Sequence, residues 1–113
     1  MSESNAVLIL KALDALQARA TVTAENIANA KTPNYRPLRV SFEDALKQAA
    51  AGGDDAVRAL TFTAVPARAG TPDAETRVDL ELARQSATAL RYDALIQILN
   101  HKVQMHSEAV RGT

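Results

Sequence analysis

The sequence predicts an all-α protein: long N- and C-terminal helices packed as a coiled-coil-like hairpin or bundle, with a short extended or irregular middle segment. Three observations predict it. Residues 6–30 carry an apolar stripe of Ile9, Leu13, Leu16, Ala20, Thr23, Ile27 and Ala30, stepping alternately by four and three as a helix–helix seam does. Residues 77–110 carry two such stripes. The region between, about 51–76, is rich in Ala, Gly, Asp, Thr and Pro and has no helical period.

With 113 residues the chain is long enough for one domain, read as a single unit over 1–113 with four segments at 6–31, 32–50, 51–76 and 77–110. Hydrophobic residues make up 47% and aromatics only 4%, so helices can approach closely but few bulky side chains fill a core. The formal net charge is zero, which gives no global electrostatic case for nucleic acid or an anionic membrane. Without cysteine there is no disulfide or thiol chemistry. The N-terminal residues carry no basic group before the apolar run, which Lys11 interrupts, so neither a secretory signal peptide nor a membrane span is expected.

The first helix has Asn5 as its candidate N-cap and a length of about 37 Å. Pro33 has no backbone N–H and pushes Thr32 out of helical angles, so the helix should stop near Lys31. Asn29 can bond its local backbone, and Asn34 tolerates a left-handed conformation. Tyr35 lies just past this turn, among Lys31, Arg36 and Arg39. In the next segment, alternating Leu38, Val40 and Phe42 predict a brief extended piece. A short helix capped by Ser41 follows, running to about Ala50. Leu60 to Val65 alternates like a strand, but Pro66 ends it and the sequence offers no convincing partner. The 51–76 segment is therefore expected to be a flexible loop.

The last helix, with Asp79 as candidate N-cap, is about 50 Å long. One stripe runs through Leu80, Ala83, Ala87, Leu90, Ala94, Ile98, Met105 and Ala109. The other runs through Tyr92, Ile96, Leu99, Val103 and Val110. One partner helix cannot bury both, so a second molecule is expected on the remainder. The rival account is a compact monomer whose middle segment folds back over the second stripe.

Catalytic and ligand-binding patterns are not found. His101 and His106 are five apart, off the three- or four-residue spacing that aligns a helix face, and no metal-binding spacing appears. Asp54-Asp55 reads as a solubilising turn, no serine sits in a nucleophile elbow, and there is no glycine-rich phosphate loop. One tyrosine among three cations is a weak single-strand site, and a protein surface suits that patch better. The expectation is a non-enzyme with no cofactor, no metal, no small-molecule substrate and no nucleic acid.

The stretch Asn26-Ile27-Ala28-Asn29-Ala30-Lys31-Thr32-Pro33-Asn34-Tyr35-Arg36 resembles the N-terminal signature of the axial proteins of the bacterial flagellum, whose pattern is Asn-Ile-Ala-Asn, two variable residues, Thr-Pro-Gly-Tyr. Asn34 stands where the pattern has glycine. The layout of two terminal helices around a variable middle, and the short length, are similar to the basal-body rod members. That resemblance implies a structural subunit that self-assembles through its terminal helices into a hollow, torque-transmitting rod. It also implies export through the flagellar (type III) secretion apparatus without cleavage. The implied partners are its own copies, other rod proteins, the export gate and membrane-ring components. The implied interface and signature residues are Ile9, Leu13, Leu16, Asn26, Ile27, Asn29, Thr32, Pro33, Tyr35, Leu90, Tyr92, Ile96, Ile98, Leu99 and Val103. A different class, a soluble helical-hairpin adaptor or chaperone binding one partner helix, stands as the alternative.

Overall fold

Helix α1 spans Glu3–Ala28 and buries Ile9, Leu13, Ala15, Leu16, Val22, Thr23 and Asn26, the helical-period face that its apolar pattern dictates. The computed structural model describes residues 3–112. Helix α4, Val78–Arg111, returns antiparallel along α1 and completes an all-α hairpin. Asn26 lies near Glu81, and the Ala20 carbonyl accepts a bond from Gln85 Nε2 (3.0 Å). Further along, Leu8 and Leu95 line one groove. The molecule measures 63 × 27 × 16 Å, a rod-like shape set by the length of α4.

The middle of the chain lies against one flank of this hairpin. Strand β1 (Leu38–Arg39) pairs antiparallel with β2 (Val65–Pro66), Leu38 opposite Pro66 and Arg39 opposite Val65. The alternating run 60–65 is therefore a strand only at Val65, and Pro66, expected to end it, lies in the strand opposite Leu38. Two-residue strands carry too little pattern to be seen, and β1 was legible only as an extended piece. Between them lie helices α2 (Glu43–Ala51) and α3 (Asp54–Ala59), and a 3₁₀ turn at Pro72–Ala74 precedes α4. The 51–76 segment accordingly contains a helix, a strand and a turn. Val57 of α3, only 2% exposed, holds the helix down.

The main core joins Ala15 and Leu16 of α1 to Phe42, Leu46 and Val57, with Leu60, Phe62, Tyr92 and Leu95 packed around them. Phe42 and Phe62 meet edge to face with centroids 5.9 Å apart. This packing fixes the start of α2. Its N-cap position is Phe42, not Ser41, because the ring is drawn into the core while Ser41 stays exposed. Helix α3 ends where Lys11 Nζ donates to the carbonyls of Arg58 (3.0 Å) and Leu60 (2.9 Å), a cation placed at the negative end of a helix. Likewise Arg77, not Asp79, is the N-cap position of α4, and Asp79 pairs with Arg77 (2.9 Å).

Arg19 ties α1 to the strand-to-helix corner. Its Nε and Nη2 donate to the Val40 carbonyl (3.0 and 2.7 Å), and its fork grips both oxygens of Glu43 (3.0 and 2.8 Å). The guanidinium also lies 4.5 Å from the Phe42 ring centroid. This pairing holds the Glu43 carboxyl down at about 2, from 4.5. A depressed carboxylate pKa contributes stability in full above about 4.5, and that contribution is lost as the pH falls toward 2. It is modest, because the Glu43 side chain is half exposed and solvent screens the pair. Glu43→Gln should therefore flatten the pH dependence of stability between about 4.5 and 2, as read by urea denaturation at a series of pH values, while lowering stability slightly at neutral pH.

Candidate assembly surfaces and the turn that positions them

The end of α1 carries the signature residues. The helix stops at Ala28, three residues before Lys31, because the Ala30 N–H bonds Ile27 (3.2 Å) and the Thr32 N–H bonds Asn29 (3.0 Å), tightening the chain into turns ahead of Pro33. Asn29 Nδ2 donates back to the Glu25 carbonyl (2.9 Å), and its Oδ1 accepts from the Thr32 hydroxyl (3.1 Å). Asn34 has φ 63°, the one positive value among described non-glycine residues, which suits asparagine in place of the pattern's glycine. Thr32 and Pro33 themselves are exposed, so they shape the turn from outside.

Asn26 is fully buried and fully bonded. Its Oδ1 accepts from the Tyr35 hydroxyl (2.8 Å) and the Leu38 N–H (2.9 Å). Its Nδ2 donates to the Leu38 carbonyl (2.9 Å) and to Glu81 Oε2 (3.2 Å). The carboxamide thus bonds both main-chain groups of Leu38, as a neighbouring strand would, while β2 occupies the other edge of β1. Burial raises the Tyr35 hydroxyl pKa first, and the nearby negative charges of Glu25 and Glu81 raise it further. The phenol stays a donor to Asn26 at any ordinary pH. Glu81 is fully buried in turn, and meets Arg39 (2.7 Å) and Arg84 (3.1 Å). Sequence reasoning missed Glu81. Nothing in a single sequence links it to a residue 55 positions earlier.

The remaining sequence-predicted residues divide into two sets. Ile9, Leu13 and Leu16 are buried within the chain's own core, Ile27 is half-buried at the turn, and Tyr92, Ile96 and Leu99 are half-buried on the face of α4 toward α1. Leu90 (71% exposed), Ile98 (46%) and Val103 (51%) face solvent. With Leu80 and Met105, Leu90 and Ile98 form an outward apolar stripe that no described element covers. Ala94, Ile98 and Met105 line a shallow groove on it beside His101 and Lys102. The stripe through Leu90 and Ile98 thus faces solvent, while the other is half-buried at Tyr92, Ile96 and Leu99 and exposed at Val103 and Val110.

Among the described residues no group of His, Cys, Asp and Glu could hold a metal ion, and no helix is long and apolar enough to cross a membrane.

Asn26→Ala should strip partners from Tyr35, Glu81 and both main-chain groups of Leu38, and cost about 3 kcal/mol in denaturant unfolding. Asn26→Asp keeps the shape but has no donor when ionised and sits beside Glu81. It should be more destabilising at pH 7 than at pH 4, where protonation restores a donor.

No curated protein matches the chain. Residues 10–36 match the family described as flagella basal body rod protein. That match runs from the third described turn of α1 through the signature turn to Arg36, and it supports a place for this chain among the basal-body rod proteins, with a structural role.

Proposed function

We propose that this chain is a structural subunit of the bacterial flagellar proximal rod, assembling with its own copies and other rod proteins through its terminal helices. The observation that carries the reading is the coincidence of the family match over 10–36 with an uncovered apolar stripe along α4. The match covers the turn at the end of α1, and the stripe offers a seam for a neighbour. Burying one Leu or Ile side chain contributes about 1.5–3 kcal/mol, so Leu80, Leu90, Ile98 and Met105 suffice to hold an adjacent helix. Long helices suit a tube that transmits torque, because many small contacts share the load. Within the family, we read the stretch from Val78 through Arg91-Tyr92 to Lys102 as resembling the proximal member called B, with C, which shares an Arg-Tyr pair, as its competitor. Export through the flagellar secretion apparatus, and a place at the rod base against the export gate and membrane ring, follow from the same reading.

The hairpin adaptor remains the second reading, favoured by the internally bonded Asn26 network and the packed middle segment, which give the single chain a core of its own. Imaging of purified basal bodies carrying a labelled copy separates the two: density in the rod is expected, and a label absent from basal bodies but present in a soluble dimer overturns the rod reading.

Two substitutions should separate fold from assembly. Leu13→Asp places a charge in the hairpin core and should unfold the isolated chain. Ile98→Asp lies on the outward stripe and should leave the melting curve of the isolated chain nearly unchanged while abolishing rod assembly and swimming.

A further inference from the structure

A groove of about 400 Å³ opens between α1, β1 and the first half of α4. Arg19, Arg39, Arg84 and Arg91 line it, together with Ser41 and Thr88. Among the described residues no carboxylate lines it. Glu43 pairs with both Arg19 and Arg91, and Glu81 pairs with Arg39 and Arg84. Arg19 and Arg91 thus share one half-exposed carboxylate, in a chain whose formal net charge is zero. Arg39 Nε is buried without an acceptor, and Arg91 is 62% exposed at the rim. Val22, Leu38 and Val40 form an apolar floor, which strengthens any charge pairing made above it.

We infer that this groove receives an acidic side chain, a glutamate or aspartate, from a neighbouring protein subunit. The floor suits the methylene stem of such a side chain, and the guanidinium forks suit its carboxylate in a two-bond geometry. A bare inorganic anion would use the charge but leave the floor uncovered. The inference deepens the rod reading by naming the chemistry of one neighbour contact, and rests on that reading only for who the neighbour is. Ala87 of the outward stripe also lines the groove, so the cationic slot and the apolar seam adjoin on α4.

The test uses the isolated full chain, labelled for amide NMR, with a capped hexaglutamate peptide and, separately, inorganic phosphate at equal ionic strength. The expected result is saturable shifts centred on Ser41, Ala87 and Thr88 with hexaglutamate, and much weaker ones with phosphate. Arg91→Gln, which gives up only the exposed pair with Glu43, should weaken peptide binding about tenfold or more, and Arg91→Lys should restore part of it. Absence of shifts at the groove, unchanged binding in Arg91→Gln, or phosphate binding as tight as the peptide would each overturn the inference. Because the assay needs no flagellum, its outcome is independent of whether labelled subunits are found in basal bodies.

Discussion

One side-chain carboxamide, that of Asn26, connects the parts of this protein that the sequence keeps farthest apart. Its oxygen and nitrogen each make two hydrogen bonds, so its capacity is filled. Through them the end of α1 holds the tyrosine after the turn, the first strand, and the start of α4. An unfilled carboxamide at a fully buried position would cost a large part of a small domain's net stability. The turn must therefore close in one way, and the direction in which the chain leaves Pro33 follows from that. Glutamine would carry the same atoms one methylene too far out to meet both main-chain groups of Leu38.

Charge is distributed to the same end. Arg19 and Glu43 join α1 to α2, Arg91 brings α4 to that pair, and Arg39 and Arg84 neutralise Glu81 below the turn. The apolar core of Leu16, Phe42, Leu46 and Val57 lies beside them, with the Arg19 guanidinium over the Phe42 ring. Apolar burial sets how closely the pieces approach. The polar pairs set their register, because a shift of one helical residue would separate several pairs together.

The two terminal helices and the expectation of a surplus apolar face were legible because they rest on periodic patterns over more than twenty residues, where chance agreement is small. The surplus face took the form of the stripe through Leu90 and Ile98. The turn was legible from Pro33, whose geometry is independent of context, and from Asn34, whose positive φ the sequence anticipated. The small elements were not legible. Helix α3 is six residues long and is held by Val57 and by a lysine 47 positions away, which no local window contains. The strand pair is two residues on each side and depends on Asn26 for its second edge. The arginine groove draws on three separate elements, and its members look like ordinary solvated charges when read in a line.

The hairpin is bonded unevenly along its length. At the turn end, Asn26, Glu81, Arg39 and Gln85 join the helices by directed polar contacts. Toward the open end Val7, Leu8 and Leu95 add packing that is apolar and undirected. Beyond Lys102 the side chains of α4 are exposed. Local opening free energies should then form a gradient, with amide protons near Asn26 and Glu81 exchanging only through global unfolding and those near both outer ends exchanging by fraying. A chain built this way can be entered from its open end and unzipped toward the turn.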